Sequence, residues 1–368
     1  MKFTVERSKF LEAVSRLQKV VGAKTSMPVL EGILISAEQG KVTMIAYDLE
    51  KGMKKEIYAS CSEAGDIVIN ARLLSDILRK MVGVQVEIEA DDRLMCHIRS
   101  GEAVFDIMGM SANDFPEMPS VADGEKLSIE GKTFCEMVKG TIFAVSQIEG
   151  TRPILTGLNI SVKDGILQMV GIDGFRLGIR RQKTDITANT EFVVSGKSIN
   201  EVVRLVEENT ENIDIIVGSR LISFDINGYI FISRLLDGEF VNFEKIIPDE
   251  FVQKVKIDCS DFTGSVERVS LLINDSFNIP IRFSFNEEEV VLSCATSMGR
   301  ATENFGLALE GEPFEIGLNS RYLLDALHAC DSGKITIRFN GPNSGVLIKP
   351  ENDDDIDFLY LIMPMRMK

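Results

Sequence analysis

The sequence contains few of the residues that usually build a catalytic or metal-binding centre. Its 368 residues include two histidines, six cysteines and no tryptophan. The cysteines are widely spaced without a Cys-x-x-Cys pair, which argues against a zinc knuckle or a disulfide framework and predicts free thiols. His97 and His328 alone are too few for a histidine-based metal centre. We therefore expect neither a metal nor a cofactor.

Long apolar runs are missing as well. No stretch approaches the roughly 18 uninterrupted apolar residues of a membrane-spanning helix. The opening residues MKFTVERSKF are too charged for a secretory signal. Hydrophobic residues make up 45% of the chain and charged residues 26%, a balance that is typical of folded domains. We expect a cytoplasmic protein of two or three domains that does not bind membranes.

One segment recurs along the chain. PVLEGI at 28–33 returns as PILTGL at 153–158 and, more faintly, as PIRF at 280–283, so the copies begin 125 and then 127 residues apart. Each copy opens a strand-like stretch and follows an apolar helical pattern. Repeats of this kind predict a fold built from three similar modules.

A repeated charged stripe predicts a second helix in each module. The stripe residues are spaced i, i+4, i+7 and comprise Arg72, Asp76 and Arg79, then Lys197, Glu201 and Arg204, then Arg321, Asp325 and His328. This spacing places each trio on one helix face, with apolar residues such as Leu73 and Leu74 on the buried face. Asn70 precedes the first of these helices, where its side chain can cap it.

The predicted unit is helix, strands, helix, strands, which is an α+β module used three times. Asn227-Gly228 lies between two alternating runs and predicts a tight hairpin. Connections near Pro116 and Pro248 separate the units. We predict modules at residues 1–122, 123–249 and 250–368, each with two helices and antiparallel strands.

Positive charge is in short supply, since the formal net charge is −16. Such an acidic chain argues against nucleic acid binding, which needs a cationic surface. The charge is unevenly distributed, however: the six predicted helical stretches sum to +6, leaving −22 elsewhere. If the helices share one face, that face is basic and holds phosphates without gripping them tightly.

Searches for catalytic motifs find one weak candidate. Gly196-Lys197-Ser198 follows a strand-like run and precedes a helix, as a phosphate-binding loop does. Glu191 occupies the position of the first glycine that such a loop needs for its amides to wrap a phosphate. An enzyme with a degenerate nucleotide-binding loop is the alternative to a binding protein. Asp48 and Asp173 match across the repeat, which indicates a structural turn in each module.

Five stretches in order along the whole chain resemble the bacterial DNA polymerase III beta subunits, the sliding clamps. They are MKFTVER at 1–7, TRPILTG at 151–157, DGFRL at 173–177, DGEF at 237–240 and MPMR at 363–366. The resemblance implies a head-to-tail homodimeric ring of six alike domains, with helices lining the hole. It implies a non-catalytic processivity factor that encircles duplex DNA of any sequence and tethers the replicative polymerase. The other implied partners are the clamp loader and clamp-binding repair and replication proteins.

The resemblance also implies three sets of site residues. A partner-peptide groove between the second and third modules comprises Arg152, Leu155, Ile172, Gly174, Phe175, Arg176, Leu177, Val241, Ile246, Asn319, Tyr322, Met363, Pro364, Met365 and Arg366. The DNA-facing residues are Lys24, Arg72, Arg79 and Lys197. The contact between subunits joins Phe105 and Ile107 of one copy to Leu271 and Leu272 of the other. An apolar groove with an arginine rim suits a short peptide with aliphatic or aromatic anchors.

Some groove positions depart from the family pattern. Ile172 stands where threonine is usual, Phe175 where histidine or another polar aromatic is common, and Val241 where proline is frequent. We therefore expect a more apolar groove. Met367-Lys368 extends or replaces the usual final leucine, which leaves the position of the C-terminus open.

Overall fold

The structure is a computed structural model that describes residues 1–22, 26–148, 150, 152–273, 279–351 and 358–367. This part of the chain contains two α-helices in each third, as the repeat predicts. They are α1 (Arg7–Leu17), α2 (Ala71–Lys80), α3 (Gly131–Lys139), α4 (Gly196–Leu205), α5 (Cys259–Ser270) and α6 (Ser320–Ala329).

Strands make up most of the remaining regular structure. The first third contains β1 (Lys2–Glu6), β2 (Gly32–Glu38), β3 (Lys41–Tyr47), β4 (Lys51–Tyr58), β5 (Ser60–Glu63), β6 (Gly65–Asn70), β7 (Gln85–Ala90), β8 (Met95–Ser100) and β9 (Ala103–Met108). The second contains β10 (Glu125–Glu130), β11 (Gly157–Lys163), β12 (Ile166–Ile172), β13 (Arg176–Lys183), β14 (Thr190–Ser195), β15 (Asn212–Val217), β16 (Leu221–Ile226) and β17 (Tyr229–Arg234). The last contains β18 (Gln253–Asp258), β19 (Ile281–Phe285), β20 (Glu289–Thr296), β21 (Gly299–Gly306), β22 (Leu309–Glu310), β23 (Phe314–Leu318), β24 (Lys334–Phe339), β25 (Val346–Pro350) and β26 (Phe358–Ile362).

The chain divides into two compact units by its contacts. The first unit comprises residues 1–133 and 197–235, and the second comprises 134–196 and 236–368. Three domains of mixed α+β structure are thus distributed over two compact units, because strands from successive thirds of the chain pair with each other. The domain boundaries given above stay a prediction.

The first unit contains two antiparallel sheets. Their strand orders are β5-β1-β7-β8-β9 and β10-β15-β16-β17-β4-β3-β2-β6. In the larger sheet, β17 pairs with β4 so that Tyr229 lies opposite Lys55. Backbone hydrogen bonds between β17 and β4 therefore join strands from the first and second thirds of the chain. The Asn227-Gly228 hairpin is confirmed between β16 and β17, with φ angles of 53° and 73°.

The second unit repeats this arrangement. Its sheets have the orders β14-β11-β12-β13-β26-β25-β24-β18-β22 and β21-β20-β19-β23. Here β13 pairs with β26, so strands from the second and last thirds of the chain meet, with Leu177 opposite Leu361. The larger core of this unit is rich in aromatic rings, including the stacked pair Phe285 and Phe314, whose ring centres are 4.9 Å apart.

The helices bury the apolar stripes that the sequence predicts, with one exception. On α2, Leu74 and Leu78 are fully buried, whereas Leu73 is 45% exposed. The expectation that Leu73 is buried was wrong, because its position lies at the border between the apolar and charged faces. The cap is confirmed: Asn70 Oδ1 accepts a hydrogen bond from the Leu73 amide at 3.0 Å.

All six cysteines are free thiols, as predicted. Cys96, Cys259 and Cys294 are buried, while the other three are half-buried. Burial raises the pKa of Cys96 to about 12, which keeps that thiol protonated at neutral pH. The three buried cysteines serve as small core residues.

Candidate functional site

The second unit contains a tight turn between β12 and β13 that presents an aromatic side chain. Asp173 Oδ1 accepts hydrogen bonds from the amides of Phe175 at 2.9 Å and Arg176 at 3.0 Å. Gly174 adopts a φ of 92°, a conformation that side chains disfavour. The turn leaves Phe175 59% exposed. The structural turn expected at Asp173 is thus confirmed.

Arg176 fixes this turn to the last helix. Its Nε lies 3.0 Å from Asp173 Oδ2 and its Nη1 lies 2.5 Å from Asp325 Oδ2. The guanidinium also lies 4.4 Å from the centre of the Tyr322 ring. Because Arg176 is only 8% exposed, its role is to hold β13 against α6 rather than to reach into solvent.

Tyr322 extends the aromatic surface that Phe175 begins. The two rings are stacked with centres 6.3 Å apart, and burial raises the pKa of the Tyr322 hydroxyl. Asn319 caps α6 by accepting a hydrogen bond from the Tyr322 amide at 3.1 Å. The first turn of α6 therefore holds Tyr322 beside Phe175.

The C-terminal tail borders the same surface. The Met363 amide donates to the Phe175 carbonyl at 2.8 Å, and the Met365 amide donates to the Gly317 carbonyl at 2.8 Å. Met363 keeps 37% of its surface exposed. A flexible thioether and two stacked rings thus lie side by side, which gives an adaptable apolar surface.

An apolar cluster lies beneath the turn. Its buried members are Val170, Ile172, Leu177, Ile179, Leu347, Leu359 and Leu361, and partly buried Leu155, Phe240, Phe243, Ile247 and Phe251 pack against it. Ile172 and Leu177 therefore serve as core as much as surface. Phe243 and Ile247 were missed by the sequence analysis, although their four-residue spacing was a signal.

Four predicted groove residues lie apart from these contacts. Arg152 is exposed, and Ile246, at the end of the 3-10 turn Glu244–Ile246, is 40% exposed. Val241 lines a polar depression of about 490 Å³ beside Asn159. Arg366 lines another depression, on the four-stranded sheet. Pro364, between the two tail contacts, is half-buried.

Three of the four candidate DNA-facing residues, Arg72, Arg79 and Lys197, lie on helices of the first unit. Arg72 and Lys197 are exposed, and Arg79 donates to Asp76 at 3.4 Å. Within the described ranges, Arg72 has no ion-pair partner. Lys24 lies outside the described residues. Charge on these helices is thus partly offset by neighbouring carboxylates, which keeps the attraction for phosphates modest.

The residues predicted for the subunit contact lie near unpaired sheet edges. Phe105 and Ile107 belong to β9, the edge of the five-stranded sheet, and their neighbours Val104 and Met108 are 56% and 65% exposed. Leu271 follows α5 and is 76% exposed, whereas Leu272 is half-buried. In the four-stranded sheet, β21 is one of the two edge strands. Open edges of this kind readily pair with another chain.

The nucleotide-loop alternative loses support at Ser198. This residue is 3% exposed, and its hydroxyl lies 2.8 Å from that of Ser233. A phosphate-binding loop needs that hydroxyl free to ligate the magnesium ion of the nucleotide. Across the described ranges, no group of three or more His, Cys, Asp or Glu residues is placed to hold a metal ion. No helix in those ranges has the length and apolar character to span a membrane.

Comparisons with known proteins agree along the whole chain. Residues 1–119, 128–242 and 244–366 match the N-terminal, central and C-terminal domains of the DNA polymerase III beta subunit. The Beta sliding clamp of Bacillus subtilis is 31% identical over 380 residues, covering 100% of both chains. That of Staphylococcus aureus is 30% identical over 377 residues, covering 100% of this chain and 99% of the relative.

Solved structures give the same result. The crystal structure of the sliding clamp from Bacillus subtilis superimposes with a TM-score of 0.95 at 30% identity, covering 100% of both chains. The sliding clamp from Pseudomonas aeruginosa bound to griselimycin gives a TM-score of 0.92 at 26% identity, again over 100% of both chains. The arrangement of strands and helices is therefore shared throughout.

Proposed function

The chain belongs to the DNA polymerase III beta subunit family, and from this premise we propose that it is a DNA sliding clamp of the bacterial cytoplasm. The observation that carries the proposal is the match over the full length, with identities of 30% and 31% to Beta sliding clamps. Two copies close head to tail into a ring around duplex DNA. The ring performs no reaction and serves to keep other proteins on DNA.

The charge distribution suits a ring that slides. With a net charge of −16, most of the surface repels a polyanion, whereas the helices carry the exposed cations Arg72, Arg79 and Lys197. Few phosphate contacts give weak, salt-sensitive binding. A closed ring needs no more than this, because its topology rather than its affinity prevents dissociation.

Retention on circular DNA tests the topology. Protein loaded onto nicked circles should stay bound through gel filtration and should be released once the circle is cut. Equal loss from linear and circular DNA would remove the topological claim. Light scattering should give a mass near twice 40.8 kDa, since a stable monomer leaves the ring open.

The helix cations can be tested separately. Arg72→Ala combined with Lys197→Ala should weaken direct DNA binding and lower its salt dependence by about two ions. Lys126→Ala, at an exposed position on β10, is the matched control. Unchanged direct DNA binding and an unchanged salt dependence in the double variant, together with equal loss from linear and circular DNA, would favour a scaffold without a DNA role.

The groove formed by Phe175, Tyr322, Met363 and the cluster beneath them is the proposed docking site for the polymerase, the clamp loader and repair proteins. Exposed aromatic and methionine side chains lie there beside a buried aliphatic cluster. Such a surface suits the binding of a short peptide with aliphatic and aromatic anchors. Phe175→Asp should abolish binding of such a peptide in a fluorescence anisotropy titration. Tyr58→Asp, at a residue 95% exposed on β4, should bind it normally.

A further inference from the structure

A depression of about 700 Å³ lies on the outer face of the four-stranded sheet in the second unit. Three arginines, Arg282, Arg300 and Arg366, line it together with the hydroxyl residues Ser293 and Thr302. Apolar side chains, among them those of Pro280, Val291 and Met367, complete the lining. We call this depression the arginine pocket.

Strand register explains why these side chains share one face. Arg282 lies opposite Ser293, and Ser293 lies opposite Thr302. Side chains opposite each other in a sheet point to the same side. Arg300 precedes Thr302 by two residues and so points to that side as well. The cationic ends of Arg282 and Arg300 can therefore approach each other above Ser293.

A glycine lets the C-terminal tail reach the pocket. A Cβ at Gly317 would lie 2.8 Å from Met367 Cγ and 2.9 Å from the Met365 carbonyl oxygen. Only a residue without a side chain allows the tail to pass this closely over β23. The tail thus brings Arg366 to the pocket from the side of β23, whereas Arg300 lies on β21 at the other edge of the sheet.

The pocket has more positive charge than its surroundings neutralise. Arg282 Nη1 lies 3.7 Å from Glu315 Oε2, a long ion pair between half-exposed side chains. Arg300 and Arg366 are exposed, and in the described part of the chain neither has an ion-pair partner. Guanidinium groups without an ion-pair partner among the described residues, placed beside the hydroxyls of Ser293 and Thr302, suit a carboxylate ligand.

We propose that the arginine pocket binds acidic residues that flank the anchor residues of partner peptides. The inference rests on the proposed docking function of the groove. The tail connects the two sites, because Met363 borders the groove and Arg366 lines the pocket. Three residues of extended chain span about 10 Å, so a peptide that leaves the groove along the tail reaches the pocket within a few residues.

Charge selectivity supports an acidic ligand. On a chain with a net charge of −16, an acidic peptide is repelled by most of the surface and attracted at this pocket. A second copy that pairs along β21 would extend the sheet sideways and leave its outer face open.

Labelled peptides test the proposal. The probe is an amidated peptide with leucine and phenylalanine anchors, used alone or continued at either end by Gly-Ser and three aspartates, with three asparagines as the matched extension. In one of the two orientations, aspartate should tighten binding about three- to tenfold, since each exposed ion pair contributes modestly. The gain should disappear at about 0.5 M salt.

Arginine variants test whether the gain in affinity from the aspartates arises at the arginine pocket. Arg282→Gln combined with Arg300→Gln should remove the aspartate gain and leave binding of the unextended peptide unchanged. Arg93→Gln, which makes the same change at an exposed turn of the first unit, should preserve the gain. The mass of each variant shows whether its subunit contact is intact.

The outcomes separate the two proposals. If the unextended peptide does not bind, the docking function of the groove fails. If it binds but the aspartate and asparagine extensions give equal affinity in both orientations, the arginine pocket is not an acidic-peptide site. The same conclusion follows if the aspartate gain survives in the double arginine variant.

Discussion

The same turn occurs twice in this chain, and its two copies differ in what surrounds them. In the first unit, Asp48 Oδ1 accepts hydrogen bonds from the amides of Glu50 and Lys51 at 3.0 and 2.8 Å. In the second unit, Asp173 makes the same pair of bonds 125 residues later. The first turn lies beside a covered core, whereas the second borders an open apolar surface.

The difference comes from what packs over each turn. In the first unit, Tyr47 and Phe115 belong to one buried cluster, against which Met118 packs. Met118 can lie there because residue 52 is glycine: a Cβ at Gly52 would be 2.5 Å from the Met118 sulfur. The matching position in the second unit is Leu177. The same backbone motif thus forms sealed core in one repeat and candidate binding surface in the other.

The cations that follow each turn differ as well. Lys51 and Lys55 of the first unit match Arg176 and Arg180 of the second. Burial lowers the pKa of Lys55, whose Nζ lies 4.1 Å from the centre of the Tyr229 ring. Arg180, in contrast, makes two hydrogen bonds to Asp331, at 3.0 and 2.7 Å. Through Arg176 and Arg180, β13 is tied to Asp325 in the middle of α6 and to Asp331 just after its end, and lysine lacks the paired donors of arginine.

Removing the cation should affect the two copies very unequally. Arg176→Ala leaves Asp173 and Asp325 without their shared partner and should cost about 3 kcal/mol, because breaking a buried ion pair strands its charges. Lys51→Ala, the matched change, should stay within about 0.5 kcal/mol. Urea titrations followed by circular dichroism measure both. Equal losses would show that the two turns are held in the same way.

Placing leucine at position 52 tests the cover of the first turn. Gly52→Leu displaces Met118 and should destabilise the protein by about 2 kcal/mol through overpacking. It should also raise the fluorescence of a hydrophobic dye, since the displaced thioether uncovers the cluster. Gly306→Leu is the control, because among the described residues nothing beyond its two chain neighbours lies within 4 Å of a Cβ there. A Gly52→Leu variant that is as stable as the unchanged protein and does not raise the dye fluorescence would contradict this role of Gly52.

The backbone of the second turn should tolerate side chains poorly. Gly174→Ala places a Cβ at a φ of 92° and should cost about 1 kcal/mol of unfolding free energy. Apart from the residue itself and its two chain neighbours, no atom of the described residues lies within 4 Å of that Cβ, so any loss reflects conformation rather than a clash. Gly306→Ala, where φ is not positive, should show a smaller loss in the same titration.

The tie between Arg180 and Asp331 should show itself as a small pH dependence. Hydrogen bonds from Arg180 lower the pKa of Asp331 below its ordinary value of 3.8. A lowered pKa means that the ionised form stabilises the fold above pH 3.8 and that this contribution is lost as the pH falls through the lowered pKa. Asp331→Asn should therefore lower the melting temperature at pH 7 and lose that deficit in strong acid. A deficit that is constant with pH would contradict the ion pair.

Local features were predictable from the sequence. The three-fold repeat, the two helices per repeat, the Asn70 cap and the Asn227-Gly228 hairpin all follow from short-range spacing. Leu73 was misplaced because periodicity gives a direction around the helix but not the width of the buried face. The catalytic alternative at Ser198 needed the structure to test it, because Ser233 lies 35 residues away.

Contacts between distant segments were not predictable. Asp325 belongs to a charged helix stripe by its spacing, yet its partner Arg176 lies 149 residues earlier. Met118 packs over Gly52, although the two positions are 66 residues apart in the sequence. A single sequence shows which residues are charged or apolar, but which of them meet depends on how the sheets are joined.

The pairing of β17 with β4, and of β13 with β26, has an evolutionary consequence. Both strand pairs are joined by hydrogen bonds between main-chain amides and carbonyls. Every residue except proline supplies both groups. Side-chain substitutions can accumulate in these strands without breaking the hydrogen bonds that pair them. A chain that keeps only 30% identity to a relative can therefore retain its architecture at a TM-score of 0.95.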